Sequence, residues 1–187
     1  MRLIIVSGLP GSGKSTISEG VASKLRLPVF SVDPIESAIL KTGMKKSFKT
    51  GLAAYEIVGT LAEENLKLGQ SVIIDAVSPV LWARKKWKAL ASKYKTRILI
   101  IECVYLDKKL YRKRIEARVR NLHGIREVMW KDIEKIQKEY LPWKEKRLVL
   151  DGMNNVKENI AKAKKYIKNW SFKKYFYKQI IYYTEHM

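Results

Sequence analysis

The chain has 187 residues, enough for one domain with a sizeable core, and its apolar fraction of 47% is that of an ordinary soluble globular protein. The single cysteine, Cys103, excludes an internal disulfide framework and any cysteine-rich metal site, and no apolar run approaches the length that spans a bilayer. A net charge of +20 favours polyanionic partners, nucleic acid first, although lysines dominate and a merely lysine-rich surface accounts for the same surplus.

Strand-like apolar runs alternate with helical patterns, which predicts βαβ units and a mostly parallel sheet. Leu3 to Val6 is the first strand, and a glycine-rich turn leads from it into a helix over Lys14 to Leu25. Pro28 to Val32 is the second strand, ending at Asp33, with Pro34 opening a helix over Ile35 to Leu40. A basic connection with Lys41, Lys45, Lys46 and Lys49 follows, then a helix from Leu52 to Leu68 closed by Gly69. Ser71 to Asp75 is a buried strand running into a carboxylate. Pro79 to Tyr94 is a helix with Trp82, Trp87 and Leu90 on its apolar side and Arg84, Lys85, Lys86 and Lys88 expected in solvent. Arg97 to Tyr105 is the fourth strand, with Cys103 as a small core residue. Asp107 then caps a long basic helix, Leu110 to Arg120, which His123-Gly124 breaks before a helix over Glu127 to Glu139. Arg147 to Leu150 is the fifth strand, Asp151-Gly152 a turn, and Val156 to Trp170 the closing helix. This places one domain over residues 1–170. The remaining 171–187 mix aromatics with lysines, a composition that packs across a domain or a dimer partner more readily than it stacks bases.

The turn after the first strand carries the chemistry. Gly8, Gly13, Lys14 and Ser15 fit the phosphate-binding pattern G-x-x-x-x-G-K-[ST], in the strand–turn–helix context that pattern needs. A loop that wraps a phosphate turns its N–H groups inward, which the glycines permit, and the helix behind it adds a positive end. The nucleotide-binding residues are therefore Gly8, Pro10, Gly11, Ser12, Gly13, Lys14, Ser15 and Thr16. Lys14 bridges the outer phosphates and the Ser15 hydroxyl is a Mg²⁺ ligand. Ligands of an open parallel sheet sit outside the carboxyl ends of its strands, and there Asp33 and Asp75 also fall. Asp33 is either a helix N-cap or the carboxylate that meets an acceptor hydroxyl. Asp75 ends the run Val72-Ile73-Ile74-Asp75, which resembles a Walker B strand and holds Mg²⁺ through water. Arg114 and Arg118, four apart, share a face of the basic helix, either as a solvated charge run or as a lid over the triphosphate.

Four stretches carry a resemblance over nearly the whole chain to Asp151: S-G-L-P-G-S-G-K-S-T, S-V-D-P-I-E-S-A-I-L, S-V-I-I-D-A-V-S-P-V, and R-K-R-I-E-A-R followed by E-Y-L-P-W-K-E-K-R-L-V-L-D. The chain resembles the P-loop kinases of the AAA_33 group, related to polynucleotide kinase, chloramphenicol phosphotransferase and the zeta-toxin kinases. The resemblance implies a three-layer α/β fold with a five-stranded, mostly parallel sheet and a helical lid at about 108–130. It implies ATP and Mg²⁺ as cofactors, Asp33 as general base, Arg114 and Arg118 on the phosphates, and residues 151–155 beside the adenine. No Walker B acidic pair and no sensor arginines of oligomeric AAA+ machines match, which argues against a mechanical unfoldase. The expectation is a cytoplasmic kinase, monomer or homodimer, acting on a hydroxyl of a small-molecule or nucleic-acid acceptor, and the basic connection and lid suggest an acidic one. A nucleotide-dependent switch without an acceptor and a nucleic-acid-binding protein with a vestigial nucleotide site are the rival readings.

Overall fold

The computed structural model describes residues 1–169. Trp170 and the aromatic–lysine tail expected to pack on the domain lie outside the described residues. Five strands form one sheet: β1 (Arg2–Ser7), β2 (Val29–Ser31), β3 (Val72–Asp75), β4 (Arg97–Val104) and β5 (Arg147–Asp151), in the order β2-β3-β1-β4-β5. Every pairing is parallel, so all the carboxyl ends lie at one edge. Seven helices are described: α1 (Lys14–Leu25), α2 (Val32–Lys41), α3 (Phe48–Lys67), α4 (Leu81–Lys93), α5 (Lys108–Glu116), α6 (Trp130–Glu139) and α7 (Val156–Asn169).

The layering follows from the two-residue period of the strands. Leu3 and Ile5 point into a core formed with Val72, Ile74, Val58, Ala62 and Trp87, whereas Ile4 and Val6 point the other way, onto Ile17, Val21, Ala163 and Ile167. Sheet residues buried on both faces read as unbroken apolar runs, which is why β1, β3 and β4 are legible as strands. A third, smaller cluster of Tyr111, Ile115 and Ile133 lies beneath the lid, joined by Leu9, Tyr105 and Trp130. Cys103 is core, as its neighbours suggested. Among the described residues no helix is long and apolar enough to cross a membrane.

Three sequence expectations are corrected. Arg84 does not face solvent but is 3% exposed. Its guanidinium donates to the carbonyls of Ser78 (3.0 Å), Pro142 (3.0 Å) and Leu141 (2.5 Å) and lies 4.0 Å from the centre of the Trp143 ring. The cation thereby ties the loop after β3 to the turn after α6, and its charge is met by carbonyl dipoles and aromatic faces. Second, the basic helix after Asp107 stops a turn earlier than expected. Asp107 does cap it, accepting from the Leu110 N–H at 2.9 Å, but α5 stops at Glu116. Residues 117–129 are irregular, with left-handed backbone at Asn121 and Gly124, and α6 begins only at Trp130. The segment expected to form a lid is therefore a short helix, an irregular stretch and a second helix. Third, α2 begins at Val32 with Ser31 in the N-cap position, so Asp33 lies inside the first turn and is not the cap.

Arg84→Ala leaves three inward carbonyls without a donor and removes the cation from the Trp143 face. It should lower unfolding free energy by about 2–4 kcal/mol in urea melts, whereas the neighbouring Lys85→Ala should stay within about 0.5 kcal/mol.

Candidate nucleotide and acceptor site

Directly beyond β1 the chain turns through Gly8, Gly11 and Gly13, at φ of 142°, 82° and 98°. At Gly8 the reason is also contact: a Cβ there would lie 2.1 Å from the Cys103 carbonyl oxygen on β4. Gly13 occupies the N-cap position of α1, and no side chain caps that helix. Its first-turn N–H groups are thus left for an anion, as the phosphate-binding reading requires. The Lys14 ammonium donates to the Leu9 carbonyl at 3.1 Å, lying across the loop. The Ser12 hydroxyl is buried and has no partner among the described residues.

Asp75 collects hydroxyls. The Ser15 Oγ donates to its Oδ2 at 2.7 Å and the Ser31 Oγ to the same oxygen at 3.2 Å, because the sheet register sets both Val6 and Ser31 beside Asp75. A serine at the start of α1 and a strand-end carboxylate in contact suit a Mg²⁺ that keeps most of its waters and is completed by phosphate oxygens. Such a site needs no cluster of protein ligands. Among the described residues there is none of three or more histidine, cysteine or acidic groups.

The lid rests on the loop. The Tyr111 hydroxyl donates to the Pro10 carbonyl at 2.6 Å and Arg114 Nε to the Gly11 carbonyl at 2.9 Å. A Cβ at Gly11 would lie 2.4 Å from Ile115 Cδ1. Arg114 borders a small pocket shared with Ser12, Gly13, Thr16, Gly152 and Asn159, so the loop after β5 does meet the phosphate loop. Arg118, beyond the end of α5, shares no helical face with Arg114. It is half-buried and makes no ion pair among the described residues; burial, then the nearby Arg120, lowers its guanidinium from the usual value.

Spacing alone missed Arg120. Its Nη1 donates to Asp33 Oδ2 at 2.5 Å, and its Nε lies 3.5 Å from Glu127 Oε2. The side chain is 11% exposed, whereas that of Asp33 is 47% exposed. Nothing in the sequence singles this arginine out of five, since the pairing joins residues 87 apart through an irregular segment. Asp33 lines an open cleft of about 430 Å³ between α2, the lid and α6, to which Pro10 of the phosphate loop also contributes. Cys103 is a buried core residue, and burial pushes its thiol up to about 12.

Sheet order, loop and strand-end carboxylate together define a P-loop NTPase fold. The chain belongs to the AAA_33 family of AAA domains, whose model matches residues 3–141. Among solved structures it is similar to a protein of Chloroflexus aurantiacus described as a kinase (22% identity, 88% of this chain and 97% of that one, TM-score 0.72). It is also similar to a gluconokinase of Sinorhizobium meliloti (15%, 94% and 96%, TM-score 0.68) and to a sugar kinase of Janibacter (17%, 90% and 95%, TM-score 0.66). At such identities the likeness is one of fold. No curated protein matches the chain in sequence.

Gly8→Ala should abolish nucleotide binding in calorimetric titration, because the new methyl meets the Cys103 carbonyl. The Cys103 thiol should remain unmodified by a thiol reagent at pH 8 in the folded protein and react at once in denaturant. Its raised pKa favours folding fully below about pH 8.5, and that contribution fades as pH climbs toward 12.

Proposed function

We propose that this chain is a kinase that transfers the γ-phosphate of ATP to a hydroxyl of a small-molecule or nucleic-acid acceptor. One observation carries the reading: the phosphate loop and the half-exposed carboxylate of Asp33 border the same open cleft, which is large enough for a second substrate. A switch that only hydrolyses nucleotide has no need of such a cleft.

The residues divide the work as phosphoryl transfer demands. The loop from Gly8 to Thr16 holds the phosphates, with Lys14 leaving the Leu9 carbonyl to meet the outer ones. Arg114, already beside Gly11, neutralises charge on the nucleotide side, and Arg118 follows as the lid settles. Ser15 and Asp75 would hold a Mg²⁺, which would supply positive charge to the oxygens of the transferring group. Asp33 accepts the proton of the acceptor hydroxyl as its oxygen bonds to the γ-phosphorus and the bond to the β–γ bridging oxygen breaks, releasing ADP. For that, Asp33 must exchange its contact with Arg120 for the hydroxyl. A cytosolic setting accords with this use of ATP and with the single cysteine.

Transfer of labelled γ-phosphate is the test. Asp33→Asn should lower it by about 10²-fold or more while ATP affinity stays within about twofold. If the mutant released ADP and labelled acceptor at the wild-type rate, Asp33 would not be the base. Lys14→Ala should abolish transfer, and Arg114→Ala should weaken ATP binding by about tenfold.

A further inference from the structure

The cleft beside Asp33 has a divided lining. Its floor is aliphatic, made by Pro10, Val77, Ile125, Val128 and Ile136. Charge is confined to the walls, and most of it is spent internally. Arg126 clasps Asp132 through two hydrogen bonds of 2.8 and 2.7 Å, holding that carboxyl at about 2. Arg120 is taken by Asp33 and Glu127, and Glu36 accepts from the Thr50 hydroxyl at 3.1 Å. Glu139 stands at the exposed rim. Two cations are left, Lys46 from the α2–α3 connection and Lys135 from α6. Neither has an ion-pair partner among the described residues, and both are exposed. Lys131 and Lys138 stand on the same face of α6 as Lys135, extending the positive wall out of the cleft.

Resting on the kinase reading, we propose that the acceptor is a nucleotide unit with a free hydroxyl, whose base covers the aliphatic floor and whose phosphate meets Lys46 and Lys135. The physical reason is the pairing of features. A bare sugar has a hydroxyl everywhere and gains little from five aliphatic residues, which offer no hydrogen bonds to replace those it loses to water. A flat heterocycle gains from the same floor by burial of its faces. A neutral nucleoside fills the floor and leaves both lysines unused. A base, a ribose hydroxyl and a phosphate carried on one molecule use the aliphatic residues, Asp33 and the two lysines together. A volume of about 430 Å³ accommodates one such unit and not a folded polynucleotide, so a polymer would enter by its end. In the reaction the ribose oxygen forms the new bond to the γ-phosphorus of ATP, its proton passes to Asp33, and ADP departs with the bridging oxygen.

The test uses the full chain with Mg²⁺ and γ-labelled ATP. Separate arms contain nucleoside 3′-monophosphates, 5′-hydroxyl oligonucleotides, neutral nucleosides, sugar phosphates and neutral monosaccharides. Label should enter the two nucleotide arms with kcat/KM at least about tenfold above the other three. A preference for the oligonucleotide makes the acceptor a strand end, a preference for the monophosphate a free nucleotide, and both support the proposal. Lys46→Gln and Lys135→Gln should each lower kcat/KM about tenfold on the nucleotide arms and less than twofold on neutral nucleosides. Label confined to sugars or sugar phosphates, or equal use of nucleoside and nucleotide, overturns the proposal and leaves the kinase reading standing. No label in any arm while ADP is released overturns the kinase reading and the proposal with it.

Discussion

The site depends on the passage of Gly8 across the Cys103 carbonyl. Two adjacent parallel strands, β1 and β4, leave the sheet side by side, and only a residue without a side chain lets one turn over the end of the other. That turn aims the loop back along the sheet edge and starts α1 with an uncapped N-terminus. From the same edge β3 delivers Asp75 to the Ser15 hydroxyl, and β2 delivers Ser31 to the same oxygen of that carboxylate. A substitution at Gly8 would displace the loop, and with it Ser15, from the carboxylate that the sheet register fixes.

Around this centre the 108–130 segment is attached by the apolar cluster of Tyr111 and Ile115 with Leu9, by the Arg120–Asp33 pair and by hydrogen bonds to backbone carbonyls. Tyr111 reaches Pro10, Arg114 reaches Gly11, and the Ser37 hydroxyl donates to the His123 carbonyl at 3.0 Å. Such contacts are directional but modest in net energy, about 1 kcal/mol each, and water or a ligand replaces them at little cost. The Arg84 tie is of another kind. It lies in a buried aromatic setting, where the Tyr140 hydroxyl also meets Ser7 at 3.0 Å and Trp143 at 3.2 Å. A transfer reaction shielded from water would use such a contrast, a firm base beneath a cover that opens, if the segment acts as the proposed lid.

Net charge gives little account of the cleft. The chain carries a surplus of +20, yet arginines at the cleft are largely matched by carboxylates of the same wall. The expectation of an acidic acceptor, drawn from a basic connection and a basic lid, therefore narrows to two lysines. Most of the remaining surplus is on exposed helix faces, where long-range attraction of polyanions costs no specific geometry.

The sequence alone determined the fold class, the strand and helix order, and the phosphate loop. These rest on short-range rules: alternation sets strand faces, and a glycine pattern sets the loop whatever lies elsewhere. It also located Asp33 and Asp75 at strand ends, since in a parallel sheet every carboxyl end shares one edge. Only the tertiary structure decided which arginine does what. Arg118 lost its place beside Arg114 because α5 ends a turn early, Arg120 gained Asp33 through a segment with no repeating pattern, and Arg84 left the solvent for three carbonyls contributed by two distant turns. A long cation is amphipathic and finds its partner by packing, so its neighbours in space, not its neighbours in sequence, fix its role.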